Sequence, residues 1–228
     1  MRQHSITIVR AWLGRFALLA ILLMSAPLDA AAQGKVVFEG PITSAVLGTN
    51  RTVRIYLPPS YEREPRRRFP VLYLHDGQNV FTTAGPHVAF GWGNWGLDQT
   101  VNELVAAGRM REIIMVAIDN TQARYREYRG LVAGGSASDS KAPARPASDD
   151  AAHTGYTRFL IEELKPKIDR DYRTLPGVAH TAVMGSSMGG ICSLALAWEH
   201  PKVFGNAACL ASSFQIEKRH FLERVMRP

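Results

Sequence analysis

The chain has 228 residues, 46% of them hydrophobic and 21% charged, with a formal net charge of +7. That length and balance exclude a disordered chain and fit one domain with a substantial core. The positive excess does not point to nucleic acid, because the one basic run, Arg66-Arg67-Arg68, precedes an apolar stretch and reads as a solvated strand entry with no nucleic-acid motif beside it.

Residues 1–32 read as a secretory signal peptide. Arg2, Arg10 and Arg15 precede an apolar core from Phe16 to Met24, and Ala30-Ala31-Ala32 supplies an A-x-A site. Cleavage is expected between Ala32 and Gln33. The apolar core is shorter than the ~20 residues that a spanning helix needs, so no stable membrane anchor is expected. The domain is then 33–228, in the periplasm or secreted. Its charge is (27−3) − (20−1) = +5, since residues 1–32 hold three arginines and Asp29. An exported chain can pair its two cysteines, Cys192 and Cys209, but both lie in apolar runs that suit buried thiols equally well, and neither has metal-ligand spacing.

Taken in order, Lys35 to Phe38 and Arg51 to Leu57 read as two strands joined by a turn at Gly48-Thr49-Asn50, with Pro58-Pro59 ending the second. Pro70 to His75 is a continuous apolar run of buried-strand type, followed by Asp76-Gly77-Gln78-Asn79 and a loop carrying Trp92 and Trp95. Leu97, Val101, Leu104 and Val105 recur at helical spacing, with Gly108 as a stop. Ile113 to Ile118 is the next buried strand and ends in Asp119-Asn120. Residues 130–150 are mostly Gly, Ala, Ser, Asp and Pro and read as a surface excursion, with a flap over the site as the sharper alternative. Tyr156, Phe159, Leu160, Leu164 and Ile168 mark an amphipathic helix. A strand at Ala207 to Leu210 and a last helix from Phe214 to Val225 close the chain. Strands alternating with helices after an initial hairpin imply an α/β fold, a mostly parallel sheet covered on both faces. Ligands then bind at the carboxyl ends of the strands.

The most informative stretch is His180 to Cys192. Ala182-Val183-Met184 is a short buried strand, Gly185-Ser186-Ser187-Met188-Gly189 matches G-x-S-x-G, and Ile191 to Trp198 is a helix. Strand, glycine turn with a central serine, helix: this is the nucleophile elbow of α/β-hydrolases. The glycines let strand and helix approach while the turn strains Ser187 and exposes its Oγ. The N–H of Met188 can then donate to an oxyanion. The second donor comes from the loop after the Pro70–His75 strand, from Gln78 or Gly77.

Further motifs extend the match. They are His75-Asp-Gly-Gln-Asn79, Asp119-Asn120 with Arg124 and Glu127-Tyr128, Leu164-Lys-Pro, Tyr172-Arg, Gly185 to Gly190, and Pro201-Lys-Val-Phe-Gly205. Together they resemble the putative-esterase family of α/β-hydrolases, which includes esterase D-like, enterochelin-esterase-like and feruloyl-esterase-like enzymes and mycolyltransferases. The resemblance covers roughly residues 50 to 214 apart from the low-complexity loop. It implies a serine carboxylic-ester hydrolase with no metal or other cofactor, acting on a small-molecule ester. Carried over, Ser187 is the nucleophile and Met188 and Gln78 the oxyanion donors. Arg124 and Glu127 match a recurrent pair, read here as an ion pair fixing its loop. His75, Asp76 and Asp119 stand at the site edge.

The base is harder to place. The order in this fold is Ser, then Asp or Glu, then His. After Ser187 only His200 and His220 remain. His200 lies down the elbow helix, roughly 20 Å away at ~1.5 Å per residue. Glu217 and His220 have the right order without a strand to carry them to the sheet edge. His75 is the best upstream substitute, and His87, His153 and His180 have no better claim. The reading is therefore a C-terminally incomplete α/β-hydrolase, weakly active or inactive as this chain. A non-catalytic remnant or binding module and an acyltransferase with the same nucleophile are the alternatives. Trp92 and Trp95 can line a subsite or pack. The acyl and alcohol groups and the oligomeric state are left open.

Overall fold

The structure, a computed structural model, describes residues 33–130 and 147–214. The signal segment, most of the low-complexity stretch, and the readings on Glu217, His220 and the last helix lie outside the described residues.

β1 (Lys35–Ser44) and β2 (Thr49–Leu57) form the opening hairpin, paired from Lys35 with Leu57 to Ser44 with Thr49. This corrects the sequence expectation at both ends of the turn. β1 runs through Gly40-Pro41 instead of stopping at Phe38, and Thr49 and Asn50 belong to β2. The physical reason is a bulge between Phe38 and Gly40, where Gly40 takes φ 82°. A bulge on an edge strand accommodates both a positive φ and a proline, which a central strand would not.

β3 (Val71–His75) and β4 (Ile114–Ile118) are the two apolar runs expected to be buried, and every residue of β4 is. Alternate residues face opposite sides of the sheet. Val71, Tyr73, Ile114, Val116 and Ile118 pack in one core cluster, and Leu74, Met115 and Ala117 in another. The second cluster is covered by α1 (Leu97–Ala106) through Val101. The first is covered by a long helical run and by the elbow helix. That run comprises α3 (Ala147–Arg158), a π-helical segment (Phe159–Leu164) and α4 (Lys165–Asp171). Its Glu163 accepts the N–H groups of Ala45 and Val46 and the hydroxyl of Ser44, which ties it to the β1–β2 turn. A one-turn helix, α2 (Arg124–Tyr128), was not foreseen. Five residues are too few for periodicity to register.

β5 (Thr181–Ser186), α5 (Met188–Glu199) and β6 (Asn206–Leu210) complete the described part. The strand order is β1-β2-β4-β3-β5-β6, with β4, β3, β5 and β6 parallel and β2 antiparallel to both neighbours. After β3 the chain steps to one side to form β4, then returns to the other side of β3 to form β5. The crevice between β3 and β5 is therefore the topological switch point, where the following loops diverge and leave room for a ligand. The loops after those two strands are the ones singled out in the sequence.

Candidate active site

Ser187 caps α5 with φ 56° and ψ −117°, a conformation that non-glycine residues rarely adopt. The chain reverses too sharply here for ordinary backbone. Close approach of the elbow's two arms is what makes it possible. A Cβ on Gly185 would lie 2.5 Å from the carbonyl carbon and oxygen of Gly189, so no side chain fits between them. Ser187 is half-buried, and its Oγ shares a hydrogen bond of 2.8 Å with Ser213 Oγ in the segment after β6. The N–H of Ser187 donates to Leu210 O at 2.9 Å. Met188 is the first helical residue, so its N–H has no carbonyl one turn back to bond.

The loop after β3 is a 3₁₀ turn, Gly77–Asn79, entered through Asp76 in the left-handed region at φ 59°. Gly77 is required by contact. A Cβ there would sit 2.6 Å from the backbone of Ala117 and Ile118 at the end of β4. The Asp76 carboxylate, almost fully buried, accepts from Arg124 Nε at 2.6 Å, Arg124 Nη2 at 2.8 Å and Asn120 Nδ2 at 2.5 Å. Gln78 Oε1 accepts the N–H of Asn120 at 3.0 Å. The turn is thus pinned to the β4–α2 connection by both Asp76 and Gln78. The hydrogen bonds that Arg124 donates to Asp76 hold its pKa above the ordinary value. Gln78, second in its short helix, likewise has an N–H with no intrahelical acceptor.

Arg124 and Glu127 do not pair with each other, contrary to the sequence expectation. Arg124 belongs to Asp76, and Glu127 is held by Arg51 of β2. Nη2 reaches Oε1 at 2.6 Å and Nη1 reaches Oε2 at 3.2 Å, with side chains 1% and 5% exposed. Burial pulls the Arg51 pKa down, but the Glu127 carboxylate more than offsets this and the net direction is up. Asp119 faces β2 as well, accepting from Arg54 Nε at 3.1 Å and Nη2 at 2.8 Å. It holds the sheet edge and makes no hydrogen bond to Ser187.

His75 is fully buried under the elbow in a cluster of three rings with Tyr128 and Tyr156, with Nδ1 2.9 Å from Tyr156 Oη. A Cβ on Gly189 would lie 3.2 Å from His75 Cβ, so the helix start rests on this side chain. Desolvation lowers the His75 pKa to about 4. With no exposed atom and Nδ1 engaged by Tyr156, the His75 ring has no open path to a substrate, and the geometry gives it the role of packing the turn. The sign of its pH effect is fixed. The folded pKa lies below the unfolded value near 6.5, so the unfolded chain binds more protons between pH 6.5 and 4. Folding stability should therefore fall as pH drops through that window, by at most about 3 kcal/mol from this residue. Urea titrations at pH 7 and 4.5 should show a smaller loss for His75→Gln than for the parent, whatever the variant's baseline. An unchanged loss would remove His75 as the cause.

None of the other described histidines hydrogen-bonds Ser187. His153 is buried, with Nδ1 2.8 Å from Glu127 O. His180 lies at the opposite end of β5, and His200 ends α5. His87 is exposed in the loop after β3. Both cysteines are free, Cys192 buried and Cys209 half-buried. The two tryptophans separate: Trp95 packs against the core beside α1, while Trp92 is 89% exposed. Sequence reasoning missed Arg51 and Ser213. Arg51 had a signal, since it shares the inward phase of Val53 and Ile55 along β2. Ser213 had none.

The family model described as "Putative esterase" matches residues 44–219. The ferri-bacillibactin esterase BesA of Bacillus subtilis is 28% identical over 77% of this chain and 58% of its own length. An endo-1,4-beta-xylanase/feruloyl esterase of Xylanibacter ruminicola is 27% identical over 69% of this chain and 19% of its own. The BES protein from Bacillus cereus shares the fold with a TM-score of 0.61 at 18% identity, over 84% of this chain and 66% of that one. The chain spans 58% to 65% of the length of the Bacillus subtilis relatives it matches. With the match covering most of its length and the elbow at the β3/β5 crevice, this chain belongs to the putative-esterase family and has an α/β-hydrolase-like fold.

Proposed function

We propose that the protein is an exported serine carboxylic-ester hydrolase that forms an acyl-enzyme on Ser187. The observation that carries this reading is the backbone of Ser187 itself, held at φ 56° and ψ −117° at the switch point by the Gly185–Gly189 contact. Strain of this kind persists only where the surroundings over-determine it, and it presents Oγ at the rim of the crevice. The N–H groups of Met188 and Gln78 serve as the oxyanion donors. They act on charge that develops only in the transition state, so each contributes to rate more than to binding. Asp76, Arg124 and Asn120 hold the Gln78 turn in place. The general base comes from outside the described residues, because no described histidine bonds Ser187. No step requires a metal or other cofactor. The substrate is a small-molecule ester, in keeping with the names of the related bacillibactin and feruloyl esterases. The exposed ring of Trp92 is available to stack on an aromatic or sugar portion of it. The test is hydrolysis of a panel of short-chain and aryl esters by the intact protein, together with labelling by a fluorophosphonate probe. Label on a peptide other than the one containing Ser187 would refute the reading.

Export is the second part of the proposal. Among the described residues no helix is long and apolar enough to cross a membrane. The charge and apolar pattern of residues 1–32 supports a cleaved leader. Protein recovered from the periplasm or medium of a bacterial host should begin at or near Gln33 by N-terminal sequencing. Retention of Met1 on cytoplasmic protein would contradict it.

A further inference from the structure

We propose that Ser213 is a positioning residue for the nucleophile: its hydroxyl donates to Ser187 Oγ, selects the reactive rotamer and stabilises the negative charge that Oγ acquires as its proton leaves. This rests on the reading of Ser187 as the nucleophile.

The contact itself is the 2.8 Å hydrogen bond between the two hydroxyls, which either can donate. Four features show that the chain is arranged to make it. First, the segment after β6 is tied to the elbow in both directions. Ser187 N–H donates to Leu210 O at 2.9 Å, and Ser213 N–H donates back to Ser187 O at 3.3 Å. Second, Ala211 between them takes φ 40°, so the chain accepts a disfavoured conformation to turn Ser213 onto the elbow. Third, Gly190 makes room for this segment, since a Cβ there would collide with Ser212 Oγ. Fourth, Phe214 packs against the main core cluster and anchors the far side, with its N–H donating to Ser212 O at 2.9 Å.

The chemistry follows from what Ser187 must do. Its Oγ–H gives its proton to the base, and the freed oxygen bonds to the ester carbon as the carbonyl π bond opens onto its oxygen. The π bond then re-forms and the C–O bond to the alcohol breaks, the alcohol leaving with the proton from the base. A serine Oγ has three staggered positions, of which the bond to Ser213 holds one. A neighbouring hydroxyl that donates to Oγ removes the others. It also favours the deprotonated form over the protonated one, because a hydrogen bond to the charged state lowers a pKa. Once the base has taken the serine proton, Ser213 can only be the donor, so the bond strengthens as charge develops.

The test replaces the nucleophile by a titratable reporter in the full chain, so that it does not depend on the base. In Ser187→Cys, the rate at which iodoacetamide alkylates the introduced thiol is followed against pH, with peptide mapping to separate it from Cys209. Adding Ser213→Ala should raise the midpoint of that profile by about half a unit to one unit and slow alkylation at pH 7 about two- to fourfold. Adding Ser213→Thr, which keeps the hydroxyl, should leave the profile where Ser187→Cys put it. Circular dichroism and the unfolding midpoint of each variant distinguish a shifted thiol from a disordered elbow. A Ser213→Ala profile that coincides with the one obtained with Ser213 in place overturns the proposal. So does an introduced thiol that is alkylated in neither background, because its position would then be closed to any reactant. Ester hydrolysis that survives Ser187→Ala would instead overturn the nucleophile assignment, and the two failures are separately visible.

Discussion

Ser187→Ala in the intact protein is expected to lower ester turnover by about 10⁴- to 10⁶-fold with little change in KM. That corresponds to about 5 to 8 kcal/mol of transition-state stabilisation. The magnitude follows from the kind of step removed. On the proposed reading no acyl-enzyme forms without Oγ, and what remains is the rate supplied by the proposed oxyanion donors and by binding. Those parts survive the substitution, because the backbone N–H groups of Met188 and Gln78 do not depend on the side chain at 187. Binding of the ground-state ester should therefore persist. Ser186 provides the control. It is the adjacent hydroxyl, but it belongs to β5 and sits before the elbow turn. Ser186→Ala should stay within a few-fold of the parent, whereas loss confined to Ser186 would move the nucleophile by one residue. The measurement is kcat and KM on the best ester of the panel, with active-site titration to correct for misfolded protein.

Glu127→Ala should produce the largest loss of stability. Its partner Arg51 is enclosed, and removing the carboxylate leaves a guanidinium with no counter-charge and no route to water. Breaking a buried pair by deleting one member costs about 3 to 5 kcal/mol, because the surviving charge keeps its full desolvation penalty. Against a total of about 5 to 15 kcal/mol for a domain, that is a large fraction. In urea the midpoint should fall markedly with the slope unchanged. The double variant Arg51→Met/Glu127→Leu should recover most of the loss, since both charges are then gone and the volume is filled. Failure of the double variant to recover would mean that the pair contributes more than charge balance. Glu162→Ala is the contrasting case. Its pair with Arg158 is exposed on the surface of the helical run, where solvent screens it, and little change is expected. The site should feel Glu127→Ala too. α2 carries Glu127, Arg124 and Tyr128, so loosening it releases the clamp on Asp76 and with it the Gln78 turn. Activity should therefore decline ahead of global unfolding as urea is raised.

The sequence by itself determined the parts of this protein that depend on neighbours along the chain. β3, β4 and β5 were legible because a parallel strand buried on both faces is an apolar run, and one face cannot be polar. The elbow was legible because its glycines answer a contact four residues away, Gly185 against Gly189, which any chain making that turn must respect. The order of strands and helices then placed the loops after β3 and β5 on one edge. Tertiary structure alone decided which charges met. Arg124 and Glu127, three apart on a single helical turn, were expected to pair. The fold sends one to Asp76 at the end of β3 and the other to Arg51 on β2, because each of those buried groups needs a counter-ion and lies within reach of only one of the two. His75 could be read as a base or as packing from its position, and only the rings of Tyr128 and Tyr156 closing over it decided for packing. Ser213 could not be found at all, since its partner is 26 residues away and nothing in a serine's own neighbours records it. Local sterics act through covalent geometry and leave a mark in the spacing of residue types. Partner choice among buried polar groups is settled by desolvation across the whole fold, and spacing along the chain does not encode it.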